Sequence, residues 1–468
     1  MGTMPSSRFI SAWRKAFDPA RILPPATPRM LAFCRITVTA ILLISVCWEN
    51  LPSTVHLPDA MRQRLGIVGL LETISWGAFE RLYDSWVGLC VVQVAAGLAL
   101  LLALLGLWTR WTTALGAVLY LLVGGMLRQY AWFYHTGLVP LYALIVLALT
   151  PCGDAWSVDR WQRRRRGQPV PADDLPRLVD AWSVYAVWVV IAVPYVMAGF
   201  SKIRAGLDWF HPHSFRTILL VDALQPMHFT FDFTDLILHL PNGLVTALAI
   251  AAVAGEIGMG AVLFSARARW IMPAIMVAMH LGIWLLQRVL FFDLILIQIL
   301  FLVPPRWFAG GNSNAPMSFA APRWLRPIPV LLVVLAVIWM TRFEWYPLTD
   351  MHMYTRVNKT GVVRYPQLVA HLASGQVVPA RPEKIIGAMQ DARYRRLLGW
   401  SKREEGLPVA REFFVKCGQL HNQRHPPPEH ITAYEVIWKR WAFTEPAEEA
   451  TRGKISSRQR FDIAQAGE

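Results

Sequence analysis

Charge is scarce in this chain. Charged residues make up 16% of its 468 residues and hydrophobic ones 55%, whereas a soluble domain carries about 25% charged residues. Cysteine is also sparse. Cys34, Cys47, Cys90, Cys152 and Cys417 form no CxxC pair and no zinc-like spacing, which argues against a disulfide framework or a structural metal. No internal repeat recurs, so the inverted repeats that mark many transporters are missing. No basic face interleaved with exposed aromatics occurs either. The net charge of +15 is therefore not read as a nucleic-acid surface. Nor is the N-terminus a cleavable signal: residues 1–29 are basic and contain proline, and the apolar run that follows is long enough to span a bilayer.

What the chain does have is apolar runs that recur from Met30 to about Met340. Roughly 20 apolar residues cross the hydrocarbon core, and a helix satisfies its own backbone groups there. The pattern predicts about nine spans, at residues 30–48, 86–106, 111–127, 137–151, 182–200, 244–264, 270–287, 289–304 and 327–341. The fourth and ninth are short. Only Arg288 and its neighbours separate the seventh from the eighth, which leaves a tight hairpin or one broken helix open.

Basic residues set the expected orientation. With residues 1–29 in the cytoplasm, the inner segments hold 17 Lys and Arg, including the Arg163–Arg166 quartet, and the outer loops between spans hold eight. This asymmetry follows the positive-inside rule. Two outer loops are long. Residues 49–85 carry five carboxylates and Trp76, and residues 201–243 carry His211, His213, His228 and His239 with Trp209 and several Phe. The His211/His213 pair suits a metal only with a third ligand that the sequence does not fix, so no metal is expected.

Residues 342–468 are polar by comparison. Ile431–Trp441 is β-branched and aromatic and reads as a strand, and 383–398 and 408–418 read as short helices. The expected architecture is an all-α polytopic membrane bundle at 30–341 with a small extracytoplasmic α+β domain at 342–445. A disordered tail at 446–468 is expected to follow.

Ionisable groups in or beside apolar spans are costly, which makes each a candidate site residue. Four stand out: His135 before the fourth span, Lys202 after the fifth, Glu256 within the sixth and His280 within the seventh. Each has a structural alternative. Lys202 can snorkel to the interface, His135 can bridge helices, Glu256 and His280 can bond each other, and Arg35 can pair with Glu256 or anchor near the inner surface. The topology places His135 and Lys202 on the same side, at the ends of two helices. A desolvated lysine can lose its charge and act as a base, which suits an apolar, weakly acidic substrate such as a quinol.

Three stretches carry a resemblance. They are Trp132-Phe-Tyr-His135 followed by Trp156-Ser-Val-Asp159; Tyr195-Val-Met-Ala-Gly-Phe-Ser-Lys202 followed by Asp208-Trp209; and Glu256 followed by His280. In order and loop topology, residues 30–345 resemble the membrane domain of vitamin K-dependent γ-glutamyl carboxylase and its bacterial relatives, the horizontally transferred transmembrane (HTTM) family. The resemblance implies Lys202 as the base that deprotonates a reduced naphthoquinone and His135 as its helper. It also implies CO₂ and O₂ as co-substrates and a bacterial inner-membrane location. Glu256, His280, Trp132, Asp208 and Trp209 become supporting candidates. Two differences stand out: Ser201 replaces a second lysine before the base, and residues 342–468 are far shorter than the region with which the carboxylase grips its protein substrate.

The leading expectation is thus a quinol- or lipid-linked membrane enzyme. A non-enzymatic partner that exports, chaperones or gives immunity to an extracytoplasmic peptide or protein is the alternative. A transporter ranks third.

Overall fold

Every apolar run of the sequence folds as helix. The computed structural model describes residues 23–131, 135, 137–224, 231–310, 327–341, 343–349, 354–388, 391–448 and 452–463. Six helices are long and apolar enough to cross a membrane: Pro28–His56, Trp86–Leu105, Thr109–Arg128, Leu178–Arg204, Asn242–Leu263 and Ala268–Gln287. Three more apolar helices, Leu138–Ala148, Phe292–Leu302 and Ile328–Thr341, are shorter. They coincide with the fourth, eighth and ninth predicted runs, so length alone supports six spans rather than about nine.

In chain order the membrane part comprises α1 (Pro28–Trp48), α2 (Gly66–Ile74), α3 (Ala78–Tyr83), α4 (Trp86–Leu105), α5 (Thr109–Arg128), α6 (Leu138–Ala148), α7 (Val158–Arg165) and α8 (Leu178–Arg204). It continues with α9 (Pro212–Ala223), α10 (Thr234–His239), α11 (Asn242–Gly258), α12 (Ala268–Gln287), α13 (Phe292–Leu296), α14 (Ile299–Leu302) and α15 (Pro327–Thr341). Local chemistry sets the ends. Thr27 caps α1 by accepting the Met30 N–H at 3.3 Å, and Pro28 sits in the first turn, where no N–H is needed. Ser85 caps α4, which ends on left-handed Gly106. Arg288 takes a left-handed φ of 63° at the end of α12, so the seventh and eighth runs are separate helices. The loop at 49–85 holds α2 and α3 with two 3₁₀ turns.

α8 is the central helix and packs against α11, α6, α1 and α15. α4 lies at the periphery and leaves Val87, Val91, Val94, Leu98 and Leu105 exposed. Such a bare apolar surface is tolerated when lipid covers it.

The polar connections gather at the two ends of α1. Near its start, Arg29 pairs with Asp173 at 3.1 Å, and Arg35 donates to the carbonyls of Cys152 (2.8 Å) and Trp156 (2.6 Å). Arg35 is therefore committed to the 152–157 turn, not to Glu256. At the same end Asp159 accepts from the N–H groups of Trp108 and Thr109 and from the Thr109 hydroxyl, each at 2.7 Å. The Trp156-Ser-Val-Asp159 stretch is thus a helix-end lock for α5. Past the other end of α1, Glu49 meets Arg393 at 3.4 Å, in the C-terminal domain.

That domain is a four-stranded antiparallel sheet of order β2-β1-β3-β4, built from β1 (Val362–Leu372), β2 (Val377–Pro379), β3 (Ile431–Ala442) and β4 (Lys454–Asp462). Its helices are α16 (Pro382–Ile385), α17 (Asp391–Ser401) and α18 (Leu407–Asn422). The two central strands bury side chains on both faces of the sheet. Tyr434 and Phe461 stack on Phe414 of α18, with ring centroids 5.2 and 4.9 Å apart. Val363, Tyr365 and Trp441, on the opposite face, join the apolar cluster of Trp209 and Phe215 beside α9. One expectation needs correction and one strand was not foreseen. Residues 454–462 are not a disordered tail but a strand in register with β3, Ala433 opposite Asp462. β1 escaped the sequence reading because Pro366, buried directly after Tyr365, interrupts its alternation.

Candidate functional site

The site forms where α8, α11, α12 and α13 meet. Tyr195, Ala198, Gly199 and Lys202 recur at helical spacing and so share one face of α8. Pro194 removes a backbone donor in the same stretch, and the helix continues through it. Gly199 sets the approach of the next helix: a Cβ there would lie 2.6 Å from Ile257 Cγ1 and 3.2 Å from Glu256 Cβ. Without a side chain at 199, α11 comes close enough for Glu256 to reach Lys202 one turn on.

Lys202 Nζ donates to both carboxylate oxygens of Glu256, at 2.8 and 2.9 Å. Both residues are buried, the lysine 5% and the glutamate 7% exposed, so the amine does not snorkel to the interface. The alternative in which Glu256 and His280 bond each other is not what forms. His280 Nε2 lies 2.9 Å from the Tyr195 hydroxyl, which also accepts from Gln298 Nε2 at 2.9 Å. An amide nitrogen only donates, so satisfying the Tyr195 proton assigns it to His280 Nε2 and leaves the imidazole proton on Nδ1.

These groups line one cavity with His135, Asp293 and Tyr354. Pro194, Ala198, Met279, Ile283 and Phe291 are among its apolar walls. Its free volume is about 50 Å³, room for a few water molecules. The structure thus brings together Lys202, His135, Glu256 and His280, four candidates spread over 146 positions of chain numbering from 135 to 280.

Asp293 is a lining residue that sequence reasoning missed. It is 1% exposed, and its Oδ2 accepts the Gly137 N–H at 2.7 Å. Gly137 has a left-handed φ of 76° and packs on Tyr120 where a Cβ would stand, so a glycine is needed at this turn. The signal was present: Asp293 is an acid inside the eighth apolar run, which the rule for intramembrane ionisable residues would have flagged.

Two candidates are placed elsewhere. Trp209 does not line the cavity; it is buried beside α9, and its indole N–H donates to the Tyr354 carbonyl at 2.7 Å. It therefore touches the site only through Tyr354. Asp208 is half-exposed and pairs with Lys359 at 2.6 Å. Trp132 lies outside the described residues, as does His228. At the start of α9, His211 Nδ1 accepts the His213 backbone N–H at 3.2 Å. Burial, with His211 and Arg216 nearby, holds the His213 imidazole below its ordinary value. Among the described residues no group of three or more His, Cys, Asp or Glu side chains is arranged to hold a metal ion.

Six full-length apolar helices, three of which line a buried polar site, define a multi-pass integral membrane protein. Residues 24–307 match the family profile of the HTTM domain, and the chain belongs to that family. No curated protein and no solved structure matches it.

Proposed function

We propose that this protein is a membrane enzyme that deprotonates an apolar, weakly acidic substrate at the Lys202–Glu256 pair, with a reduced naphthoquinone as the substrate class. The observation that carries this reading is a buried, doubly hydrogen-bonded ion pair in the wall of a mostly apolar cavity. A substrate O–H gives its proton to the pair, either to Glu256 directly or to Lys202 after the lysine proton has crossed to the carboxylate. Both routes end with a neutral Glu256, a Lys202 ammonium and the substrate anion as its new counter-ion. The pair acts as one titrating unit, so Glu256 is as much the base as Lys202. His135 and His280 supply further proton-carrying groups around the same cavity.

The resemblance to the carboxylase extends this to a reaction that consumes O₂ and CO₂. The basic-residue asymmetry supports a cytoplasmic N-terminus in a bacterial inner membrane. The sheet domain then lies outside, where it contacts a protein or peptide substrate. The three shorter apolar helices complete about nine membrane-embedded segments.

The test is turnover of a reduced naphthoquinone by the purified protein in nanodiscs, with O₂ and CO₂ supplied, together with extraction of co-purifying lipids and quinones. Lys202→Ala and Glu256→Gln abolish turnover and leave membrane insertion intact. Unchanged turnover in Lys202→Ala, or no quinol consumption by the unaltered protein, rejects the reading.

A further inference from the structure

Two buried polar atoms on the lining residues lack partners. Asp293 Oδ1 and His280 Nδ1 have no hydrogen-bond partner among the described residues, although both residues are nearly inaccessible. An unsatisfied buried donor or acceptor costs free energy comparable to a lost hydrogen bond, and native structures leave few of them without a ligand or water. Both residues line the cavity that also holds the Lys202–Glu256 pair. The pair is already satisfied from within: each glutamate oxygen accepts from the lysine. Asp293 differs, because Gly137 occupies only Oδ2. A carboxylate oxygen is an acceptor alone, so what completes it is a donor such as a hydroxyl.

We propose that Asp293 is a substrate-binding acceptor that selects the hydroxyl-bearing, reduced form of an apolar two-ended substrate over its carbonyl form. One hydroxyl meets the Lys202–Glu256 pair and the other donates to Asp293 Oδ1. This rests on the reading of the cavity as a quinol site. A quinone offers only carbonyl acceptors at both ends, and one of them would then face the carboxylate oxygen unpaired. The Asp293–Gly137 bond adds a second role, because Gly137 lies two residues after His135 and Leu138 N–H donates to the His135 carbonyl at 3.1 Å. The acid that reads the substrate thereby also fixes the turn that carries His135.

The test is anaerobic binding of menadiol and of menadione to the full-length protein in nanodiscs, read by tryptophan fluorescence and by infrared difference spectra of the carboxylates. The unaltered protein binds menadiol at least about tenfold more tightly than menadione, and a carboxylate band shifts on binding. Asp293→Asn keeps an acceptor for Gly137 and presents an amide N–H₂ to the cavity, so the preference falls by about tenfold or reverses. The shifted band disappears in the same variant. Equal binding of both forms by the unaltered protein, or an unchanged ratio in Asp293→Asn, overturns the role of Asp293 while leaving the Lys202–Glu256 reaction standing. If neither compound binds, the quinol reading falls and this inference falls with it. The preference and band shift of the unaltered protein decide the matter even where Asp293→Asn does not fold.

Discussion

Breaking the Lys202–Glu256 pair from one side should cost far more than removing both partners. The side chains are 6% and 9% exposed, and two hydrogen bonds of 2.8 and 2.9 Å join them. Deleting one member leaves an uncompensated charge in a low-dielectric wall, a loss of about 3–5 kcal/mol. Replacing both by apolar residues of similar volume, Lys202→Met with Glu256→Leu, removes the desolvation of two ions along with their attraction. Such replacements come out neutral or stabilising by about 1–4 kcal/mol. The expected coupling in a double-mutant cycle is therefore several kcal/mol, well above the error of such cycles. The assay is reversible denaturant unfolding in micelles of the unaltered protein, Lys202→Met, Glu256→Leu and the pair, with turnover measured on the same samples. The double variant should be stable and inactive. A double variant as unstable as the sum of the single ones would refute the buried-pair reasoning, and an active one would refute the catalytic reading.

Four further outcomes are expected. Gly199→Ala places a methyl 2.6 Å from Ile257 Cγ1, which should cost about 1–3 kcal/mol and lower turnover by shifting Glu256 from Lys202, measured by unfolding and kinetics together. Arg396 Nη1 donates to the Gln129 carbonyl at 2.8 Å, and burial lowers its guanidinium to about 10, still charged at neutral pH. Arg396→Met should lose about 1.5–3 kcal/mol of domain docking and speed proteolysis within residues 342–361. Burial pushes the Asp232 carboxyl up, but the Thr234 N–H, Arg452 and Arg288 outweigh it and hold the group below its ordinary value. Its contribution is thus complete above the unfolded value of about 3.9 and vanishes as pH falls through the lower folded value. The stability gap to Asp232→Asn should accordingly be constant from neutral to mildly acidic pH and close below about 3.9. Finally, in a background lacking exposed Cys47, a membrane-impermeant maleimide applied to intact cells should label Lys402→Cys and not Arg165→Cys, both at exposed positions; the reverse pattern would invert the orientation.

The membrane part was legible because hydrophobic run length is a one-dimensional signal. Each run became a helix, and only Leu138–Ala148, Phe292–Leu302 and Ile328–Thr341 fell short of spanning length. The convergence of His135, Lys202, Glu256 and His280 was partly legible, through loop parity and the expense of intramembrane charge. Their pairing was not, because it depends on which helix faces meet. Gly199 decides that Glu256 reaches Lys202, and the Gln298–Tyr195 bond decides that His280 is held elsewhere. Asp159 and Asp208 illustrate the converse. Both sit in short motifs that resemble the family, yet one locks a helix end and the other makes a half-exposed ion pair. β4 was lost because Lys454, Arg458 and Arg460 give it the look of a solvated tail, and only pairing with β3 makes it a strand.

Stability alone gives no reason for the Lys202–Glu256 pair. Two apolar side chains would fill the same space at no greater cost, and among the described residues neither side chain hydrogen-bonds a third group that would tie it to the scaffold. The pair offers something apolar packing lacks, a proton that can move along a hydrogen bond of 2.8 Å without net charge entering the membrane. A substrate proton can then be absorbed while the ammonium remains to hold the anion, so the site contains one ion pair both before and after the transfer. That constancy is what a low-dielectric site requires, since separating charge there costs far more than in water. A lone neutral lysine would instead become a cation on accepting the proton and would need its own electrostatic support. The glutamate supplies that support in advance, which is why the pair, and not the lysine by itself, is the unit on which the catalytic reading stands.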